Sequence, residues 1–453
     1  MSTQSMAAIG AVFGIDEAAR TLYYVLHSLQ QRGQDAAGMA CTDGSRIVCE
    51  KNNGMLSEIF KEDVLAGMKG TSALGHVRMA SDEDADLENV QPIMVRAHQG
   101  HFAIATAGNV TNSQALRDEM EERGLIFQGS SDAELIAHLI QFYPGHLFEK
   151  IMTACSKLEG SYTFVVMTKN TMYAMRSSDG IRPLWIARCN DGYVIASESA
   201  AFTMIDVQDK RELRPGELIR LGEEGERSYF VEQDAREHMC AMEYVYYSRP
   251  DSVLGGRNVH SVREDCGALL AFEEPADADI VIGVPDTAMS AAASFARMLK
   301  KPYEIGLIKN RYIGSTYIRP SSQQREQGIR TRLNAISSVV RGKRVYLVDD
   351  SLVKGFTAKR ICKLLKEAGA KEVHLRIASP KISNVCVYGY EGARQDQLAA
   401  YKYTDEEMCQ LFGADSIRFL GLDAFRLCTG NDACMACMDG HYVNSCPENK
   451  ERK

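Results

Sequence analysis

Two kinds of hydrophobic pattern divide this chain. In the second half, apolar runs the length of buried strands alternate with stretches of helical period. The pattern predicts strands over Ala278–Val284, Arg344–Val348 and Glu372–Ile377, and helices over Met289–Leu299 and Thr357–Ala368. That rhythm argues for a parallel sheet with crossover helices. In the first half, short alternating runs such as His101–Ala107 and Tyr162–Met167 predict strands. A helical stripe covers Ala18–Gln31, with Leu22, Val25, Leu26 and Leu29 on one face; another covers Asp132–Phe142, with Leu135, Ile136, Leu139 and Ile140. Strands mixed with helix pairs suggest an α+β domain layered αββα and ending near Glu232, followed by an α/β domain.

Composition adds limits. At 453 residues the chain has room for two or three domains, and 45% hydrophobic with 25% charged residues is ordinary for a globular protein. A net charge of −8 argues against broad binding to nucleic acid or anionic membrane. No apolar run approaches the length of a transmembrane span, and the N-terminus lacks the basic region and apolar core of a signal peptide. A cytoplasmic location is expected. Thirteen cysteines, an odd number, do not read as a disulfide framework in a reducing compartment. The pair Cys434-Met-Ala-Cys437 has a spacing that lets both thiolates reach one metal or cluster, with redox and zinc readings both open.

The densest chemistry lies in Val345–Arg360. An apolar strand ends in two adjacent carboxylates, Asp349 and Asp350. A short turn through Lys354 and Gly355 leads to Thr357 and a helix, which Gly369 is placed to stop. Ligands in open α/β sheets bind beyond the carboxyl ends of strands, and a helix start offers N–H groups to phosphate. Paired acids with a phosphate-cradling turn suit a sugar phosphate with vicinal hydroxyls and a magnesium ion. The stretch resembles the signature of type I phosphoribosyltransferases, which use phosphoribosyl pyrophosphate (PRPP).

Further blocks extend the resemblance from about Ile9 to Tyr442: Leu26–Gly38, Gly75–Ser81, Ser130–Glu134, Met242–Ser252, Gly283–Ala292, Lys309–Pro320 and Arg325–Arg330. In this order they resemble the glutamine PRPP amidotransferase family. The family joins an N-terminal-nucleophile (Ntn-hydrolase-like) glutaminase domain to a type I phosphoribosyltransferase domain, and ammonia released in the first passes to the second. The implied boundaries are 1–233 for the glutaminase-like domain, 234–426 for the transferase domain and 427–453 for a cysteine-bearing tail.

The resemblance also exposes departures. Where the family has its nucleophilic cysteine, this chain has Ala7, and no cysteine precedes Cys41. The family's His-Asn-Gly-Asn reads Thr106-Ala107-Gly108-Asn109, so Ala107 stands where an asparagine would stabilise the oxyanion. Arg78, Gly108 and Asp132 match positions of the glutamine site, as a retained ligand site or as structural ion pairs. Glutaminase activity is expected to be absent.

The transferase half matches better. The resemblance gives Asp349 and Asp350 the ribose hydroxyls, directly or through magnesium, and Ser351, Val353, Lys354, Gly355, Phe356 and Thr357 the 5′-phosphate. Lys354 replaces an arginine and Phe356 a threonine, which predicts weakened phosphate binding. Gly283–Ala292 matches the pyrophosphate loop, with Thr287 as a magnesium contact. Lys309–Arg332 matches the catalytic lid, with Arg311, Arg319, Arg325, Arg330 and Arg332 against one acid, Glu326; Arg325 and Arg330 are its candidate catalytic residues. Ser315 and Ser322 replace a family arginine and glutamine there. Cys240, Cys386, Cys434 and Cys437 match the ligands of the [4Fe–4S] cluster that some members carry.

The expected function is phosphoribosyl transfer from PRPP to free ammonia. Two alternatives stay open: transfer to another amine or a heterocyclic base, and a non-catalytic regulator that binds PRPP or nucleotide. The resemblance also implies a homo-oligomer with purine nucleotide effectors; from charge and hydropathy, no nucleic-acid or membrane partner is expected.

Overall fold

The computed structural model describes residues 6–80, 86–97, 100–232, 235–273, 276–309, 333–389 and 393–444. The chain forms two compact units. One comprises residues 1–239 with 386–392 and 442–453; the other comprises 240–385 and 393–441.

The first unit contains two antiparallel sheets. One has seven strands in the order Gln208–Glu212, Trp185–Cys189, Gly192–Ala196, Ala7–Phe13, Ser72–Arg78, Ala36–Thr42 and Ile47–Asn53. The other has six, in the order Gly225–Phe230, Glu217–Gly222, Met172–Arg176, Gly160–Met167, Gly100–Val110 and Ile93–Ala97. Alternation along Gly100–Val110 explains the layering. Ala103, Ala105 and Ala107 point into a core shared with Ala7, Ile9, Ala11 and Leu74 of the other sheet. Phe102 and Ile104 point the other way, against Leu135, Ile136, Leu139 and Ile151 of the helices Asp132–Phe142 and Leu147–Cys155. The helix Ala18–Ser28 covers the seven-stranded sheet where strand glycines admit it: a Cβ on Gly10 would lie 3.0 Å from Leu22 and Val25. The αββα layering expected from the sequence is therefore present.

The helix predicted to reach Gln31 stops at Ser28 and tightens into a 3₁₀ turn over Gln30–Arg32. The reason lies just beyond. Gly33 runs so close to a strand that a Cβ there would sit 2.2 Å from the Arg78 nitrogen, so the chain must leave the helical path.

The second unit is built on a four-stranded parallel sheet in the order Ile280–Gly283, Arg344–Asp349, Glu372–Ile377 and Ser416–Phe419. Its apolar runs are buried, as parallel strands covered by helices require. One face packs Ile282, Leu347 and Leu375 against Ile361 and Leu365 of the helix Phe356–Glu367 and Phe412 of the helix Asp405–Phe412. The helices Val259–Leu270, Met289–Leu299 and Leu422–Thr429 also belong to this unit. Leu307–Lys309 and Leu333–Ala335 form a separate antiparallel pair. Gly369, at φ +98°, follows the helix it was expected to stop.

Candidate active sites

In the parallel-sheet unit, the strand Arg344–Asp349 delivers both candidate acids at its carboxyl end. Neighbouring backbone fixes that end: Val284 N donates to Val348 O at 2.9 Å and Ala378 N to Asp349 O at 2.8 Å. Both carboxyl groups are buried. Asp350 N donates to Asp349 Oδ1 at 2.9 Å, and the Ser351 hydroxyl to Asp350 Oδ1 at 2.6 Å. The Thr287 hydroxyl donates to Asp350 Oδ2. Burial, then the neighbouring charge of Asp350, pushes the Asp349 carboxyl well above the usual carboxylate range. Burial also raises Asp350, against the hydrogen bonds from Ser351 and Thr287 and the nearby Arg263 charge. Two carboxylates and a hydroxyl that resist sharing negative charge are a hard-oxygen set suited to a magnesium ion.

The turn matched to the phosphate loop follows at once. Val353 O accepts from Ala399 N at 2.8 Å, anchoring one side of the turn. Gly355 takes φ +77° at the start of the helix Phe356–Glu367, and no side chain caps that start. A Cβ on Gly355 would lie 2.5 Å from the Phe412 ring, so glycine is required there by conformation and by space. Lys354, Phe356 and Thr357 are exposed around this helix end, the Phe356 side chain by 71%. In this strand–turn–helix segment the acids Asp349 and Asp350 are buried, while Lys354, Phe356 and Thr357 of the turn are exposed.

Thr287 comes from the turn between Ile280–Gly283 and Met289–Leu299, where the Pro285–Asp286 peptide is cis. Asp286 Oδ2 pairs with Lys309 Nζ at 3.0 Å. Of the expected lid, only Lys309 is described; Arg325 and Arg330, with the rest of 310–332, lie outside the described residues.

The sequence reading missed Arg263. Its Nε donates to Tyr244 O at 2.7 Å and its Nη2 to Ser248 O at 2.8 Å. It lines a small cavity with Tyr244, Cys266, Thr287, Asp350 and Phe425. The signal was available: Arg263 shares the buried helix stripe of Val259, Cys266 and Leu270, where a charge is out of place.

In the other unit, Ala7 sits opposite Arg78 at one end of an antiparallel pair. Its nitrogen is a peptide amide joined to Met6, whose carbonyl accepts from Met79 N at 2.9 Å. Ala7 and Ala107 both point into the core between the sheets. Methyl groups thus occupy the two matched positions that would need a nucleophile and a donor. Gly108 takes φ +121°, and a Cβ there would meet Ser161 O at 2.2 Å. Asn109 Nδ2 donates to Val387 O at 2.9 Å. The buried Asp132 accepts from Val110 N at 2.9 Å. Thr106 O meets His76 Nε2 at 3.0 Å, and burial pushes the His76 imidazole down to about 3. His76 is therefore neutral near pH 7.

Cys240 and Cys434 are joined as a parallel β-bridge, with Ala241 N donating to Cys434 O at 3.0 Å. Cys437 O accepts from Ser383 N and Asn384 N, both at 3.0 Å. Cys386 belongs to the segment grouped with the first unit. The thiol donors suit iron chemistry. Among the described residues, however, no group of three or more His, Cys, Asp or Glu converges as a metal site.

Comparison with known proteins agrees with both halves. A glutamine amidotransferase domain model matches residues 76–204, and a phosphoribosyl transferase domain model matches residues 268–383. The amidophosphoribosyltransferase of Bacillus subtilis is 43% identical over 441 residues, covering 95% of this chain and 92% of that protein. That of Methanocaldococcus jannaschii is 39% identical over 443 residues, covering 94% of each. The solved B. subtilis glutamine PRPP amidotransferase, complexed with ADP and GMP, superposes with a TM-score of 0.90 at 42% identity, covering 97% of both chains. This chain belongs to the amidophosphoribosyltransferase family, and is a phosphoribosyltransferase by that membership.

Proposed function

We propose that this enzyme transfers the phosphoribosyl group of PRPP to free ammonia and does not hydrolyse glutamine. One contrast carries the reading: methyl groups of Ala7 and Ala107 at the glutaminase positions, against a retained Asp349–Asp350 pair in the transferase unit.

In this proposal the loop from Ser351 to Thr357, including Val353, Lys354, Gly355 and Phe356, receives the 5′-phosphate. Asp349 and Asp350 hold the ribose hydroxyls. Thr287, Asp349 and Asp350 would hold magnesium, which when bound neutralises charge on the departing diphosphate. Ammonia attacks the anomeric carbon as the bond to the diphosphate oxygen breaks. The configuration inverts, and the added nitrogen then gives up a proton. Arg325 and Arg330 are assigned to the lid on sequence alone. Arg78, Gly108 and Asp132 are assigned a structural role rather than glutamine binding, supported by the engagement of Asp132 with Val110 N. Cys240, Cys386, Cys434 and Cys437 are proposed ligands of a [4Fe–4S] cluster that staples the C-terminal segment. The Cys240–Cys434 bridge supports that role, and about four iron atoms per chain after anaerobic purification would test it. Purine nucleotide effectors, a homo-oligomeric state and a cytoplasmic location are part of this proposal, by analogy with the family. Among the described residues no helix is long and apolar enough to cross a membrane.

One observation favours a second reading. The exposed Phe356 ring beside the phosphate loop offers a flat apolar surface, as a heterocyclic-base acceptor would use. The deciding experiment follows pyrophosphate release from PRPP and magnesium with ammonium, glutamine or a panel of purine-like bases. Release with ammonium and not glutamine supports the proposal. Release only with a base replaces it with the second reading. Binding of PRPP without release under any condition would make the protein a regulator.

A further inference from the structure

The helix Val259–Leu270 carries a buried charge to the cavity at the acid pair. Asn258 caps the helix start, its Oδ1 accepting from Ser261 N at 3.1 Å. One turn in, Arg263 is held through two backbone carbonyls, those of Tyr244 and Ser248. Both lie at a π turn over Glu243–Tyr247, closed by Ser248 N donating to Glu243 O at 3.1 Å. Turns of this kind are rare and recur at functional sites. The two carbonyls are neutral acceptors, so they orient the guanidinium without cancelling its charge.

The same helix is locked to the one that follows Thr287. Gly267, one turn after Arg263, comes so close to the helix Met289–Leu299 that a Cβ there would lie 2.0 Å from Ala291 O. Across the same pair of helices, His260 Nδ1 meets Ser290 Oγ at 2.8 Å and Arg297 Nη2 donates to Glu264 Oε1 at 3.0 Å. This packing fixes Arg263 relative to Thr287, and both line the small cavity at Asp350. The cavity has about 10 Å³ of free space, room for a water molecule but not for part of a substrate. Through this cavity Arg263 can act on a substrate only by way of the groups beside it.

We propose that Arg263 is a positioning residue for the transferase reaction, a built-in cation that holds the Thr287–Asp350 joint in the geometry a divalent ion needs. The role rests on the transferase reading of this site. Two buried carboxylates with no cation nearby repel each other and draw apart. The Thr287 and Ser351 hydroxyls each engage one oxygen of Asp350 but bring no full charge. Arg263 supplies one from the protein side, and its charge favours the ionised Asp350 against the effect of burial. Groups that orient metal ligands from behind typically matter about 10–100-fold in metal affinity.

The test uses the full chain, with manganese as the probe ion. Free Mn²⁺ is measured by electron paramagnetic resonance as the ion is titrated into protein with PRPP, a protein-free titration giving the PRPP background. Arg263→Gln and Arg263→Lys each keep a donor for the carbonyls and differ in charge. Arg263→Gln is expected to raise the half-saturating Mn²⁺ concentration by about 10–100-fold, and Arg263→Lys to restore most of that loss. The direction separates two effects. Removing a positive charge from beside a cation site by itself tightens the ion, so weaker binding reports lost geometry. Tighter or unchanged binding in Arg263→Gln overturns the proposal. So does an Arg263→Lys variant as weak as Arg263→Gln, or an Arg263→Gln chain that does not fold, since either makes the residue structural. Wild-type protein that takes up no Mn²⁺ with PRPP present would instead refute the metal-site reading, and this role with it.

Discussion

The Thr287 hydroxyl donates to Oδ2 of Asp350, tying the loop after one parallel strand to the carboxyl end of its neighbour. With Asp349 alongside, this joint concentrates negative charge in a buried place. Such an arrangement is unfavourable without a cation and favourable with one.

That tension predicts a trade between stability and function. Asp349 titrates above its ordinary range in the folded protein. The folded state therefore binds its proton more tightly than the unfolded state does. Its contribution to stability is present in acid and is lost as pH rises through the raised value. At pH 8, Asp349→Asn is expected to raise the melting temperature of ligand-free protein, with the gain vanishing below about pH 4. The same variant should lose at least ~10²-fold in pyrophosphate release. Paired thermal melts and activity assays check both.

Glutamine is expected to yield no glutamate above the buffer background. Ala7→Cys alone should leave this unchanged, because the Ala7 nitrogen is tied to Met6 as an amide and Ala107 offers no oxyanion donor. A donor of that kind typically contributes about 10²–10³ in rate. A chain beginning at residue 7 and carrying both Ala7→Cys and Ala107→Asn should gain measurable glutamate release. Failure of that double variant would mean that more of the glutamine site has been lost.

Gly355→Ala should damage the phosphate loop through two effects at once. The residue sits at φ +77°, and its new methyl would enter the Phe412 ring. Where φ is positive, glycine to alanine costs about 1 kcal/mol or more. A cost of that size in the loop would weaken PRPP binding by roughly fivefold or more. Titration of PRPP by its thermal-shift effect, compared between variant and wild type, measures it.

His76 predicts a specific acid response. Its folded-state value is depressed from 6.5 to about 3 by burial. Between those values the unfolded chain binds the proton and the folded protein does not. Stability should therefore fall with falling pH, by up to about 1.4 kcal/mol per unit from this group. Urea unfolding of His76→Gln between pH 6.5 and 4.5 should give a shallower decline than the wild type.

Much of this was legible from period and spacing. The helices Asp132–Phe142 and Met289–Leu299 match their sequence expectations because their apolar stripes are continuous, and Ser131 caps the first of them. The acid pair was legible because a buried parallel strand has one carboxyl end, and charges there have few other uses. Arg263 was harder to see, since its partners are backbone carbonyls of Tyr244 and Ser248 that no side-chain pattern announces. The early end of the first helix was hidden for a similar reason. It depends on a close approach between Gly33 and Arg78, far apart in sequence.

The ion pair between Lys309 and Asp286 bears on how an anion would arrive in the proposed reaction. Lys309 stands at the start of the segment matched to the lid, and Asp286 in the loop matched to pyrophosphate binding. On the proposed function, a diphosphate entering there would not find a bare cation; it would displace the Asp286 carboxylate. Entry is then an exchange of counter-ions, in which Asp286 holds the lysine in reserve until a more highly charged partner takes it.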